Sequence, residues 1–184
     1  MNIPRLSHTA LSMVLAMTVV GCSQSSTTPA FTANFIGAGS TQTLAGLPIQ
    51  VPLTGSGLTG SVGIPAPAGS DAGVVVGASI STAVPVGFSP PAIPAGATLV
   101  GFISVGFSQP VNLLAPLSLT SSLGSATAPS TVFAYTFSGG SWVPAAFNPG
   151  TISGGAPYVG VLVPTAVPTT YSIGTTYVYA IFRQ

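Results

Sequence analysis

Few side chains in this 184-residue chain are charged or can serve as a base near neutral pH, and this limits the chemistry available to it. The chain holds Arg5, Arg183, one acidic residue (Asp71), one histidine (His8) and one cysteine (Cys22). Nucleophilic hydrolysis needs a base beside a serine or cysteine. Glycoside cleavage needs two carboxylates, and a zinc site needs several His, Cys or carboxylate ligands. We therefore predict a protein that is not an enzyme, with no catalytic residues, no cofactor and no metal site.

One glycine-rich stretch has the spacing of a phosphate-binding loop. GSGLTG at 55–60 places glycines at 55, 57 and 60, but a dinucleotide site needs a helix directly after such a loop. SVGIPAP follows instead, so the stretch predicts a turn between strands. Asp71, within AGSDAG, predicts an Asx-type turn. Arg183 is expected to protect the edge of the last strand or to pair with the terminal carboxylate.

Charge is scarce throughout the chain, at 2% of residues. Nucleic-acid binding requires several Lys or Arg side chains for the phosphates, so no nucleic-acid partner is expected. Disorder is also disfavoured, because disordered chains combine low hydrophobicity with high charge, whereas this one is 47% hydrophobic. Strand edges without lysines can pair between molecules, which predicts self-association.

The N-terminus has the pattern of an exported protein. Residues 1–9 carry Arg5, residues 10–20 (ALSMVLAMTVV) are apolar or small, and Val19-Val20-Gly21-Cys22 follows. An apolar run of this length suits a signal peptide and is too short for a transmembrane helix of about 20 residues.

These residues resemble the lipobox of bacterial lipoprotein precursors. The resemblance implies that residues 1–21 are cleaved and that Cys22 carries diacylglycerol and an acyl chain such as palmitate, anchoring the chain to a membrane. An ordinary secretory signal with a stray cysteine is the alternative. Ser23 resembles the residue found in lipoproteins sorted to the outer membrane. The expected location is the cell envelope: the outer membrane where one exists, otherwise the extracellular face of the plasma membrane. Residues 22–30 then form the lipidated Cys and a short tether.

From residue 31 onward the chain predicts one all-β domain, an antiparallel Ig-like β-sandwich over 31–184. Short Val-, Ile-, Phe-, Tyr- and Thr-rich runs alternate with Gly, Pro and Ser clusters, which is typical of strands and turns. Several strands are apolar on both faces, as strands covered on both sides are. A boundary between two subdomains near 85–96 is the alternative. Candidate strands are 31–36, 49–53, 60–64, 73–83, 97–107, 111–120, 131–137, 141–147, 157–163 and 175–182.

Alternation with a period of two predicts which residues of a strand share a face. In 97–107, one face is expected to hold Leu99, Gly101, Ile103, Val105 and Phe107. In 131–137, one face is expected to hold Phe133, Tyr135 and Phe137. In 175–182, one face is expected to hold Tyr177, Tyr179 and Ile181, and the other Val178, Ala180 and Phe182.

The segment TVFAYTFSGGSWVP at 131–144 adds a second resemblance. It is similar to the penultimate hairpin of bacterial extracellular Ig-like modules, in which Trp follows the turn and an aromatic-rich final strand, here TTYVYAIF, closes the domain. Such modules serve many roles, so the resemblance implies a fold more than a function.

Three functional interpretations remain open. The first is a lipid-anchored, non-catalytic envelope protein with a structural or interaction role. The second is a surface lipoprotein that binds a glycan or small ligand, with Trp142, Tyr158 and Tyr171 as candidate ligand or interface residues because exposed aromatic rings stack on sugars and anchor interfaces. For Trp142 the favoured alternative is a core position that packs the sandwich. The third is a small membrane β-barrel. Expected partners are the membrane, through Cys22, and an envelope protein or glycan.

Overall fold

The computed structural model describes residues 39–68, 73–125, 127–145, 150–163, 170–172 and 174–184. The chain divides into two compact units, Met1–Ala30 and Phe31–Gln184, and every described residue belongs to the second. Cys22, Asp71, the predicted leader and tether, and the candidate strand at 31–36 lie outside the described residues. Within the described part, no helix is long and apolar enough to cross a membrane.

The described residues form thirteen antiparallel strands. They are β1 (Ser40–Thr43), β2 (Ile49–Gly55), β3 (Leu58–Ile64), β4 (Val75–Ser81), β5 (Thr98–Phe107), β6 (Val111–Asn112), β7 (Ser118–Ser122), β8 (Val132–Ser138), β9 (Ser141–Pro144), β10 (Thr151–Ser153), β11 (Val159–Leu162), β12 (Thr170–Tyr171) and β13 (Thr176–Arg183).

Two large sheets build the molecule. One has the strand order β1-β4-β5-β13-β8-β9 and the other β10-β11-β7-β3-β2, with β6 and β12 forming a separate pair. The predicted all-β, antiparallel sandwich is therefore confirmed. So is the hairpin at 131–144, because β8 pairs with β9 and the final strand, β13, lies beside β8.

The segment at 111–120 does not form the single strand that we predicted. It divides into β6 and β7, which belong to different sheets. Pro116 lies between them, and proline lacks the N–H that a ladder requires. The short strands β1, β10 and β12 were not predicted, because two to four residues are too few to show an alternating pattern.

The main core lies between the two large sheets. In β5 its residues are Ile103, Val105 and Phe107, and in β13 they are Tyr179 and Ile181, all buried. Along each strand these residues alternate with residues that point to the opposite face, as the period of two requires.

A second, smaller apolar layer covers the other face of the six-stranded sheet. Phe102, Val178, Ala180 and Phe182 are buried there. The connection between β4 and β5, residues 82–97, packs over this face and is called the strap. The predicted burial of strands on both faces is thus confirmed for the centre of this sheet.

Two turns shape the strap. Phe88 N donates to Pro85 O at 3.0 Å around Gly87, and Ala97 N donates to Pro94 O at 3.0 Å around Gly96. Both glycines have positive φ, 87° and 76°, as the third residue of a type II turn requires. The stretch at 85–96, considered above as a subdomain boundary, lies within this strap and connects neighbouring strands of one sheet.

A β-bulge lets β5 contribute to both layers. Gly101 pairs with Ile181 and Leu99 pairs with Phe182, so Val100 is an extra residue in the ladder. Val100 packs on the main core, whereas Leu99 packs on the layer beneath the strap. The prediction that Leu99 shares a face with Ile103 is therefore wrong, because one extra residue reverses the alternation.

The glycine-rich stretch at 55–60 forms the β2–β3 turn, and the predicted turn is confirmed. Gly55 pairs with Leu58, and both central residues have positive φ, Ser56 at 52° and Gly57 at 76°. This is the pattern of a two-residue type I′ hairpin. Gly55 has a further role, since a Cβ there would overlap the main-chain oxygen of Ile80 in the facing sheet.

Candidate functional site

The structure separates the three aromatic residues predicted as ligand or interface positions. Trp142 lies half-buried in β9 on the outer face of the six-stranded sheet, and Tyr158 is half-buried beside the main core, just before β11. Tyr171 is 0% exposed, so its ring is not available at the surface. The three residues do not form one site.

Trp142 holds the strap against the sheet. Its indole Nε1 donates to the main-chain oxygen of Ser89 at 2.6 Å. Its ring lies 5.3 Å from Phe137, 5.8 Å from Phe102 and 6.4 Å from Phe88 between centroids. The polar end of the indole is therefore used within the fold.

An aromatic row continues from Trp142 along the outer face of β8. The rings of Phe133 and Phe182 stack with centroids 5.4 Å apart and an interplanar angle of 12°. Tyr135 lies 5.2 Å from Phe182 and 6.1 Å from Phe133. Phe133 and Tyr135 are half-buried, so this row presents partly accessible aromatic rings without any charged side chain among the described residues beside it.

A tyrosine cluster fills one end of the main core. Tyr171 lies 4.7 Å from Phe107 and 4.8 Å from Tyr177 between ring centroids, and the Tyr177 hydroxyl accepts a hydrogen bond from Ser172 N at 2.9 Å. Among the described residues, the Tyr171 hydroxyl has no hydrogen-bond partner. Burial, with a smaller coulombic contribution from neighbouring tyrosines, raises the pKa of Tyr171 and Tyr179 well above its usual range, because the interior disfavours the charged phenolate.

Arg183 serves the fold in a way that the sequence did not predict. Its strand, β13, lies between β5 and β8, so the expectation that it protects an edge of the last strand is wrong. Its guanidinium Nη1 donates to Leu123 O at 2.6 Å. Beside it is a shallow cleft of about 270 Å³, lined mainly by small and polar residues including Thr98 and Ser130.

A second cleft, of about 240 Å³, lies at the opposite end of the sandwich and is called the end pocket. Gln50, Gly63 and Ser118 stand side by side on three neighbouring strands. Because Gly63 has no side chain, the Gln50 amide and the Ser118 hydroxyl both fit beside it. A Cβ at position 63 would displace these two groups. The remaining lining is apolar: Pro48, Ile49, Ile64 and Pro65.

The chain matches no family model, no curated protein and no solved structure. Within the described ranges, no group of His, Cys, Asp or Glu residues is placed to hold a metal ion.

Sequence reasoning did not find the end pocket. Its polar members, Gln50 and Ser118, are 68 positions apart in the chain and meet only through the register of β2, β3 and β7. The available signal was the outward-facing glycine of β3, which in a strand marks a close approach of neighbouring groups.

Proposed function

We propose that this protein is a lipid-anchored, non-catalytic β-sandwich of the cell envelope with a structural or interaction role. The anchor is supported by Val19-Val20-Gly21-Cys22 following an apolar stretch. The lipid on Cys22 would hold the domain at a membrane, which is the outer membrane in a cell that has one and otherwise the extracellular face of the plasma membrane.

The non-catalytic role is supported by how the fold uses three of its large polar or aromatic described side chains. The Trp142 indole binds a main-chain oxygen of the strap, and the Arg183 guanidinium binds the Leu123 oxygen. Tyr171 is enclosed in the core. The engagement of these three side chains in the fold supports the non-catalytic part of the proposal, since a catalytic group must be able to contact a substrate.

Intact mass spectrometry of the membrane-extracted protein tests the anchor. We expect the mass of Cys22–Gln184 plus diacylglycerol and one acyl chain. A matched Cys22→Ala variant is expected to lose this lipid mass and to leave the membrane fraction. An unlipidated mass with cleavage at another position would contradict the proposal.

A glycan-binding surface lipoprotein is the second candidate, and the half-buried Phe133–Tyr135 row favours it. Aromatic faces stack on sugar rings, and uncharged surroundings suit a neutral glycan. Titration of the protein with neutral oligosaccharides, followed by tyrosine and tryptophan emission, checks this candidate. Tyr135→Ala is expected to abolish any binding found, and retained binding in that variant would exclude the row as the site.

Self-association remains part of the proposal. Of the outermost described strands, β2 and β9 carry Pro52 and Pro144, which limit strand addition. β1 and β10 carry no proline and no charge, so pairing between molecules is expected through these two strands. Sedimentation as a clean monomer at high concentration would exclude it.

A further inference from the structure

Three large aliphatic side chains are exposed at one end of the sandwich. Leu47 and Leu114 are each 70% exposed, and Val163 is 49% exposed. Isolated exposed aliphatic residues are ordinary, but a group of them in one area marks an interaction surface.

The topology brings these three side chains around the end pocket. Leu47 comes directly before Pro48, which lines the pocket. Leu114 N donates to Ala66 O at 2.9 Å, beside Pro65, another lining residue.

Val163 completes the group from the neighbouring strand. It follows Leu162, the residue of β11 that pairs with Leu119. Because the strands are antiparallel, Val163 comes opposite Ser118. We call Leu47, Leu114, Val163 and the end pocket the apolar end.

The charged side chain that the structure describes lies away from the apolar end. Among the described residues the charged side chain is that of Arg183. In the ladder between β13 and β5, Arg183 is the strand partner of Thr98, at the start of β5. Its guanidinium binds Leu123, just after β7 ends. The apolar end lies where β7 begins, so the two features are at opposite ends of the sandwich. Asp71 lies outside the described residues.

We propose that the apolar end inserts into the interfacial region of a neutral phospholipid bilayer. The leaflet that it enters is the one that holds the lipid anchor. This inference rests on the proposed function. Protruding aliphatic side chains bury their area at the boundary between headgroups and acyl chains. Anionic lipid is not required, because attraction to it comes from Lys and Arg, which the described residues of this end lack.

Two further observations fit a bilayer as the occupant. The Gln50 amide and the Ser118 hydroxyl can donate hydrogen bonds to lipid ester and phosphate oxygens. From Cys22 to Gly39 there are 17 peptide steps, which reach at most roughly 60 Å when extended. The lipid on Cys22 and the apolar end can therefore contact the same leaflet.

The single tryptophan of the chain makes a direct test available. Trp142→Phe removes the native emission, and a second substitution, Leu114→Trp, places one indole at the apolar end. The matched control is Val86→Trp in the same background, since Val86 is 85% exposed on the strap. The full chain is reconstituted in phosphatidylcholine liposomes with and without brominated acyl chains.

We expect brominated lipid to quench Leu114→Trp at least twofold more than Val86→Trp, and Leu47→Trp to behave like Leu114→Trp. Equal quenching of the two positions, or none at Leu114→Trp, would overturn bilayer insertion. The second of these results would instead favour a protein partner for this surface. Thermal unfolding of each variant confirms that it is folded.

Mass spectrometry of the same samples separates the two proposals. A lipidated protein without quenching at Leu114→Trp rejects the inference and keeps the anchor. A protein without lipid rejects the anchor, and liposomes added to it still distinguish Leu114→Trp from Val86→Trp. Quenching of the former alone then supports the inference for the unanchored domain.

Discussion

Strongly alkaline pH should unfold this protein through two buried tyrosines. Tyr171 and Tyr179 are 0% and 2% exposed, and burial raises the pKa of both above the usual value near 10. Above pH 10 the unfolded chain releases these protons and the folded chain retains them. The contribution of these two tyrosines to the free energy of unfolding is therefore fully present below about pH 10 and is lost as pH rises above it.

The size of the effect follows from the number of tyrosines. For each proton that the folded chain keeps and the unfolded chain has released, the free energy of unfolding falls by about 1.4 kcal/mol per pH unit. Two such protons give a slope of about 2.7 kcal/mol per pH unit. A domain with a stability of about 5 kcal/mol, the lower end of the usual range, would unfold near pH 12. Between about pH 5 and 9 the slope should be close to zero, because so few other groups titrate.

Urea unfolding followed by circular dichroism between pH 8 and 11.5 measures this slope, and absorbance at 295 nm reports tyrosinate. Tyr171→Phe and Tyr179→Phe should each remove about half of the slope. Phe107→Leu removes a buried ring beside Tyr171 but no titratable group, so this control should leave the slope unchanged. A stability that stays constant up to pH 11.5, or a loss that begins below pH 9, would refute the reasoning.

Three substitutions and one control substitution test the packing and turn geometry described above by thermal and urea unfolding. Trp142→Phe should cost about 1–3 kcal/mol, because it removes the hydrogen bond to the strap and part of the ring packing; an unchanged stability would mean that the strap is held by other contacts. Gly55→Ala should cost more than about 2 kcal/mol, since its Cβ would overlap a main-chain oxygen,, whereas Gly155→Ala, with open space at its Cβ, should stay within about 0.5 kcal/mol. Ser56→Asn should add about 0.5 kcal/mol, because asparagine tolerates the positive φ of this turn better than serine; a loss of stability would argue against the type I′ geometry.

The long strands of this fold could be predicted because their sequences alternate clearly. In β8, Phe133, Tyr135 and Phe137 were expected to share one face, and they do. In β13 the expected division between Tyr179 and Ala180 is also observed. Alternation alone did not show which of the two faces would meet the second sheet.

The structure answers that question in an unexpected way. The small residues of β8, Val132 and Ala134, face the main core, and its aromatic residues face outward to the layer that the strap covers. The strap itself is rich in proline and glycine, so its sequence indicated a connection between strands. A packing role for such a segment depends on contacts distant in sequence, such as that between Trp142 and Ser89.

The candidate surfaces were less predictable than the fold. Trp142, the only tryptophan of the chain, was considered both as a ligand residue and as a packing residue, and its indole holds the strap against the sheet. The end pocket and the exposed leucines around it arise from register and loop placement. Neither can be obtained from the composition of one segment, because residues far apart in the chain must first be brought together.

The two apolar layers of this molecule differ in their chromophores. Trp142 and Tyr135 lie in the layer beneath the strap, whereas Tyr171, Tyr177 and Tyr179 line the core between the sheets. In a Tyr135→Phe background, indole emission therefore reports the release of the strap, and tyrosine signals report separation of the sheets. If the two signals change together during unfolding, the layers form one cooperative unit. If indole emission changes first, the strap is a separately unfolding segment with its own, smaller free energy of opening.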